Sequence, residues 1–249
     1  MRDATLSGIV LRESQFGESD KYVTLLTHEV GLIDCMAKRA RKAGGALAAG
    51  TQPFCYCRYT VFEGRERTFV RGCDITESFY GLRNDLRKLT YSCHFADIAM
   101  DIAQEGEPNE DLLSLLLNAL HLLDKTDRDP EAVKAAFEMR AACVSGYRPE
   151  AGLCGLCGSK GPMRAFDFGS SAFLCGGCLG GAMAGGRVVA LTPGAASGIA
   201  RIIGSEGKGA YGVGIPDDCL REISEFAHMY LCDKMEREYG RLAFLGKIT

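Results

Sequence analysis

The chain has 249 residues, enough for about one large domain or two small ones, and its 47% apolar and 24% charged content excludes a disordered or collagen-like chain. With 29 Lys plus Arg against 32 Asp plus Glu, the net charge of -3 excludes recruitment of a polyanion by global electrostatics, so any nucleic-acid or anionic-membrane site must be a local patch. The most apolar run, Leu112 to Leu123, carries Ser114, Asn118 and His121 and falls well short of the roughly 20 residues that a bilayer span needs.

The opening Met1-Arg2-Asp3-Ala4-Thr5 has neither a basic region nor a following apolar run of the kind that directs export, so a cytoplasmic protein with reduced thiols is expected. From Thr5 to about Phe79 the texture is β. Thr5 to Leu11, Lys21 to His28, Leu32 to Ala37, Phe54 to Phe62 and Arg67 to Ile75 are short runs rich in Val, Ile, Thr, Tyr and Phe, parted by Phe16-Gly17-Glu18, Val30-Gly31 and Glu63-Gly64-Arg65. Five short antiparallel strands, with one long link of Arg39 to Gln52, suit a small closed barrel of the OB type, because closure removes exposed strand edges.

Beyond Leu82 the period becomes helical. Leu82, Leu86, Leu89, Phe95, Ile98 and Ile102 recur at helical spacing, and Leu112 to Leu123 is apolar on nearly all sides, which predicts a buried helix. Asp129-Pro130-Glu131 reads as an N-cap followed by proline at the first helical position, with the helix running to about Gly146. Between Gly152 and Gly186 eleven of 35 residues are glycine, so this stretch is expected to be loop scaffolding. Thr192-Pro193 restarts a short helix, Gly204 to Gly214 reads as a glycine-rich loop, and Asp217-Asp218 open a last helix carrying Leu220, Ile223, Ala227, Tyr230 and Leu231 on one face. Lys234, Arg237 and Arg241 are expected near its C-terminal end, where cations favour the helix dipole.

The strongest chemical signal lies in the glycine-rich stretch. Cys154-Gly155-Leu156-Cys157 and Cys175-Gly176-Gly177-Cys178 place two C-x-x-C pairs within 25 residues, a spacing that matches zinc sites. Four thiolates on two tight turns fill a tetrahedron and leave no open position, so a structural zinc is expected; a redox dithiol or a site without metal are the alternatives. The other eight cysteines (Cys35, Cys55, Cys57, Cys73, Cys93, Cys143, Cys219, Cys232) stand among apolar residues and read as small buried hydrophobes.

A second signal is Lys38-Arg39-Ala40-Arg41-Lys42, four cations in five residues at the exit of the third strand. With Arg58, Arg65, Arg67 and Arg71 these could line a positive groove, and Phe16, Tyr22, Phe54, Tyr56, Tyr59 and Phe69 offer rings for base stacking. The competing interpretation is a solvated basic turn beside a core made of those same aromatics, since strand alternation sends half of them inward.

Enzyme motifs are scarce. Gly204-Ser205-Glu206-Gly207-Lys208-Gly209 is too short for a phosphate loop and lacks the Ser or Thr after the Lys; His28, His94, His121 and His228 lie far apart in sequence, outside any H-E-x-x-H; Asp217-Asp218 are helix-start charges. No catalytic residue is assigned.

In order and spacing these pieces resemble the RecO family of bacterial recombination-mediator and DNA-repair proteins. The resemblance runs through Gly8-Ile9-Val10-Leu11-Arg12, Phe16-Gly17-Glu18-Ser19-Asp20-Lys21, Thr24-Leu25-Leu26-Thr27, Gly31-Leu32, Ala37 to Lys42, Tyr147-Arg148-Pro149 before the first C-x-x-C, and a long helix ending in Gly240-Arg241-Leu242-Ala243-Phe244-Leu245. It implies an α+β chain: an OB-fold DNA-binding domain at residues 1–80, then a helical domain at 81–249 with a zinc module at about 150–186. It also implies a non-enzymatic function: binding single- and double-stranded DNA, annealing complementary strands and, with RecR, helping RecA replace single-strand binding protein. The acidic total charge and the extra Gly180-Gly181 and Gly185-Gly186 depart from the pattern.

Residues 1–80 hold 11 cations and 10 acids while 81–249 hold 18 and 22, so DNA is expected on the barrel half and protein partners on the helical half. For the acidic, apolar tail of single-strand binding protein, the candidate cations are Arg83, Arg87 and Lys88, or Arg140 and Arg148 beside Phe137 and Tyr147. The alternative from another class is a zinc-ribbon adaptor that binds protein and not DNA; a dithiol oxidoreductase is the third.

Overall fold

The computed structural model describes residues 2–42, 44–182 and 187–247. They form two compact units, Met1–Lys125 with Arg241–Thr249, and Thr126–Gly240. The expected lengthening by Gly185-Gly186 lies outside the described residues.

The first unit is built on five strands, β1 (Arg2–Phe16), β2 (Asp20–Thr27), β3 (Gly31–Ala37), β4 (Tyr56–Glu63) and β5 (Thr68–Glu77), closed in the order β1-β2-β3-β5-β4. Strand β1 is far longer than expected. Its first half pairs with β4 and its second with β2, and a bulge between Val10 and Arg12 lets one strand serve both neighbours. The expectation of an all-antiparallel barrel needs correction, because β3 and β5 pair in parallel, Cys35 against Thr68 and Ala37 against Val70. Turn signals report local hairpins and are silent about a pairing that closes the barrel across some 30 residues.

Alternation along the strands sends Leu6, Val10, Val23, Leu25, Cys35, Tyr59, Val61 and Val70 into one core. The long link after β3 adds Ala40 and Leu47 to it. Tyr59 is fully buried, and its hydroxyl donates to the Gly50 carbonyl at 2.7 Å. We expect Tyr59→Phe to lower stability by about 1 kcal/mol in chemical denaturation, since that carbonyl would keep only the weaker Cys57 thiol donor at 3.6 Å. Gly31 has φ +66°, and a Cβ there would stand 2.1 Å from the Glu107 carbonyl oxygen, so only glycine fits.

Two helices complete this unit: α1 (Leu86–Ile102), capped by Asp85, which accepts from the Arg87 and Lys88 amides, and α2 (Glu110–Lys125). In α2 seven residues from Leu112 to Leu123 are buried while Ser114 and His121 are exposed, so the helix is amphipathic rather than apolar all round.

The second unit holds α3 (Pro130–Val144), capped by Asp129 with Pro130 in the first turn, α5 (Pro193–Gly204), capped by Thr192, and α6 (Asp217–Met235). The stretch expected to be loop scaffolding contains a sheet, in the order β7-β6-β8, of β6 (Met163–Asp167), β7 (Ala172–Cys175) and β8 (Val188–Ala190), with a short helix α4 (Gly176–Ala182). Strands of three to five residues are too short for period-2 alternation to stand out from the surrounding glycines. They are held by rings: Phe166 lies edge-on to Phe173 and Phe226 at 5.0 Å, Phe168 at 5.3 Å and Tyr230 at 5.5 Å.

Helix α6 also ends earlier than expected. Glu236 takes a left-handed conformation after Met235, and Gly240–Lys247 is a 3-10 segment. Of the three expected dipole cations only Lys234 lies in the last turn; Arg241 instead binds Asp97 through two nitrogens at 2.5 and 3.0 Å, within the first unit. The Gly204 to Gly214 stretch contains a 3-10 turn, Gly207–Gly212, with Ala210 and Tyr211 buried. Among the described residues no helix is long and apolar enough to cross a membrane.

Candidate metal centre and nucleic-acid surface

The two C-x-x-C pairs come together as the spacing predicts. The first sits on a knuckle: the Gly158 amide donates to the Cys154 carbonyl at 2.8 Å, the Cys154 amide to the Ser159 carbonyl at 2.9 Å, and Gly158 has φ +68°. The Gly155 amide ties this knuckle to Phe173 of β7 at 2.9 Å, and a Cβ on Gly155 would stand 2.4 Å from Ala172 Cβ. The second pair spans a junction, with Cys175 closing β7 and Cys178 in the first turn of α4. All four Sγ atoms lie within 4.8 Å of one another, and Cys157 and Cys175 Sγ are 3.6 Å apart.

Ligand atoms about 3.4–3.8 Å apart are what zinc–nitrogen and zinc–sulfur bond lengths give in a tetrahedron. The electrostatics call for a cation as well. Burial works to raise the Cys154 thiol, yet the amides of Cys175, Cys157 and Leu156 point at its sulfur and bring it down to about 6. The neighbouring sulfurs of Cys157, Cys175 and Cys154 push Cys178 up to about 12. Four thiols this close cannot all ionise unless a positive charge sits among them, so the donor set fits a divalent metal with no position left for substrate.

Of the other eight cysteines, Cys35, Cys55, Cys57 and Cys219 are buried as expected, whereas Cys73, Cys93, Cys143 and Cys232 are half-buried. Burial raises Cys35 to about 12, which keeps it an inert thiol.

The eight barrel cations, Lys38, Arg39, Arg41, Lys42, Arg58, Arg65, Arg67 and Arg71, are all exposed. Two contacts fix the exit of β3 against the β1–β2 turn. Asp20 accepts from the Arg39 amide at 2.8 Å, which with the Ser19 hydroxyl holds its carboxyl below the usual range, and the Arg41 guanidinium donates to the Gly17 and Glu18 carbonyls at 3.1 and 3.2 Å. Asp20 was not singled out from sequence, although an acid closing a Gly-x-x-Asp turn before a strand is a legible turn signal.

Aromatics interleave with the cations. Lys38 lies over Phe69 at 4.9 Å, and Arg67 donates to the Tyr22 hydroxyl at 2.9 Å, with Tyr22 edge-on to Phe16 at 5.0 Å. Phe16 is 44% exposed. Phe54 and Tyr59, expected as stacking rings, are core residues at 2% and 0% exposure: Tyr59 falls on an inward position of β4, and Phe54, expected to open that strand, lies in the turn before it with φ +67°. Arg71 pairs with Asp3 at 3.3 Å and covers Phe62, and Arg58 stands across the strands from Asp74. A groove of about 510 Å³ beside Tyr22, Met36, Arg65 and Arg67 also takes in Asp34, Glu63, Glu66 and Glu105, so its charge is mixed.

The helical candidates divide. Arg83 is committed to structure, donating to the Pro53 carbonyl at 2.5 Å and the Ser78 carbonyl at 3.1 Å; Arg87 lies over Tyr91 at 5.9 Å, and Lys88 is in the first turn of α1. In the second unit Arg140 donates to the Ile203 carbonyl at 3.1 Å and Phe137 is buried. Arg148 is exposed and lines a cleft of about 580 Å³ together with Pro149, Ala200, Arg201 and Ile203. Arg201 was overlooked in the sequence; a lone cation in a helix of small and apolar residues was its only signal.

Comparison with known proteins is decisive at the level of family. The pattern described as "Recombination protein O N terminal" matches residues 1–79, and that described as "Recombination protein O C terminal" matches residues 83–243. The chain belongs to the RecO family. A DNA repair protein RecO from Acetivibrio thermocellus is 35% identical over 240 residues, covering 96% of this chain and 94% of the relative. Another from Symbiobacterium thermophilum is 31% identical over 247 residues, covering 98% and 96%. The RecO N-terminal match takes in all eight barrel cations, and the RecO C-terminal match takes in all four clustered cysteines. Its role is accordingly in DNA repair and recombination.

Proposed function

We propose that the chain acts without catalysis as a cytoplasmic, nucleoid-associated recombination mediator. In this reading it binds single- and double-stranded DNA, anneals complementary strands and, with RecR, helps load RecA onto DNA coated by single-strand binding protein. The observation that carries the reading is the exposed run Lys38, Arg39, Arg41 and Lys42 beside the rings of Phe69, Tyr22 and Phe16 at one end of a closed five-stranded barrel. Cations track phosphates and rings stack on unpaired bases, the two devices single-strand binders combine. Residues 1–80 serve as the DNA-binding domain and 81–249 as the helical domain, a division the family boundaries at 79 and 83 support, whereas by packing α1 and α2 belong to the same compact unit as the barrel. Within the helical domain Cys154, Cys157, Cys175 and Cys178 would hold a zinc ion, which would supply a structural crosslink between the two cysteine pairs.

For the acidic, apolar tail of single-strand binding protein, the cleft lined by the exposed Arg148, with Ile203 and Ala200 in its wall, is the better-suited of the candidates, because Arg83 already serves the fold; Arg201 in the same cleft donates to the Gly214 carbonyl at 2.9 Å. A second reading, an adaptor that binds protein and not DNA, draws on the acids Asp34, Glu63, Glu66 and Glu105 in the barrel groove. Titration of a labelled single-stranded oligonucleotide at two salt concentrations separates them. Binding that weakens steeply with salt is expected, whereas no binding at low salt would leave the adaptor.

A further inference from the structure

Away from the four-cysteine cluster, the second unit carries another set of metal-ligating groups. His228 and Cys232 lie one turn apart on α6 and so share a face, and Glu238 follows the helix end. One ligand atom from each falls within 4.8 Å of the others. His228 Nε2 and Cys232 Sγ are 3.7 Å apart, the separation expected for nitrogen and sulfur on one tetrahedral zinc, about 3.4–3.8 Å.

The histidine is set for this use from behind. Its Nδ1 lies 2.9 Å from Oε1 of Glu138, which is fully buried on α3 and pairs with Lys134 through its other oxygen at 3.0 Å. A carboxylate on one ring nitrogen fixes the tautomer and presents the opposite nitrogen, the arrangement that supports ligating histidines in metal sites. The three groups line a pocket of about 960 Å³ whose walls include Phe168, Val188 and Val189. Two of the cations beside it, Arg187 and Lys234, are paired with Asp233 at 2.7 and 3.1 Å, which moderates their repulsion of a metal.

We propose that this pocket holds a second divalent metal, of the zinc class, on His228, Cys232 and Glu238. The mixed N, S and O donor set selects a borderline-soft ion over magnesium or calcium. Cys232 binds as the thiolate and His228 through an unprotonated Nε2, each giving its proton to solvent, and Glu238, exposed beyond the helix end, has an oxygen within 4.8 Å of both. Three protein ligands leave the fourth position open towards the pocket, in contrast to the closed four-cysteine site.

The test uses the full chain, loaded with zinc, dialysed against metal-free buffer and subjected to elemental analysis, with cobalt(II) titrated in parallel as the spectroscopic probe. The wild type is expected to retain one more equivalent than His228→Gln or Cys232→Ser, and Glu138→Gln to weaken that equivalent by about 10–100-fold. Glu238→Gln, at an exposed position, must weaken it as well, and circular dichroism will show that it keeps the fold. Scoring the metal lost on substitution keeps the result independent of the four-cysteine site. Equal metal content and equal cobalt affinity in the wild type and in Glu238→Gln and Cys232→Ser would overturn the proposal.

Discussion

Replacing Cys154 or Cys175 by serine is expected to abolish zinc retention at the four-cysteine site and to loosen the cysteine knuckles while the rest of the second unit stays folded. Structural zinc in small modules is worth roughly 10–16 kcal/mol of apparent binding free energy, and three thiolates without the fourth forfeit much of it. The segment has little to fall back on: α4 carries Gly176, Gly177, Gly180 and Gly181 in seven residues, each costing about 1 kcal/mol relative to alanine in a helix. The damage should stop at β6 and β7, because Phe166 and Phe173 are anchored on Phe226 and Tyr230 of α6. Limited proteolysis should therefore cut near Cys154–Ser159 and Gly176–Ala182 first. Acidification should have the same effect, since the metal competes with protons for the thiolates. Wild-type protein purified without chelators and found to hold no zinc would refute the assignment.

Changing Lys38, Arg39, Arg41 and Lys42 together to alanine is expected to give the largest loss of DNA affinity. Each phosphate contact contributes about 0.7 to the slope of log affinity against log salt on single strands, so four contacts contribute up to about 2.8. Over a fourfold change in salt that slope is worth roughly fifty-fold in affinity. All four side chains are exposed, but Arg41 also donates to the Gly17 and Glu18 carbonyls. Circular dichroism of the fourfold variant, and a Lys38, Arg39 and Lys42 triple variant that keeps Arg41, therefore separate loss of DNA contacts from loosening of the β1–β2 turn. Arg58→Ala and Arg71→Ala serve as contrasts with smaller expected effects, because Asp74 and Asp3 stand next to them. An unchanged slope in the fourfold variant would make the basic turn a solvated surface and move the DNA site elsewhere.

Much of this protein was legible in its sequence because the deciding interactions are local. Strand existence, the Asp129-Pro130 and Thr192-Pro193 helix starts, and each C-x-x-C turn depend on residues a few positions apart, and the short 17-residue spacing between the two cysteine pairs made their meeting legible as well. The order of motifs along the chain likewise carried the family resemblance.

Tertiary structure decided what depends on distant partners. The parallel pairing of β3 with β5, the burial of Phe54 and Tyr59 rather than their display, and the short sheet held by Phe166 and α6 each require segments that meet only after folding. The same holds for charge. Arg83 reads as a partner-binding cation and Arg241 as a helix-dipole cation until Pro53 and Asp97 appear beside them, and His228 reads as solitary until Glu138, ninety residues away, is found on its ring. A side chain's type limits what it can do, but which face of a strand or helix it occupies, and what stands opposite, is fixed by packing against the rest of the chain.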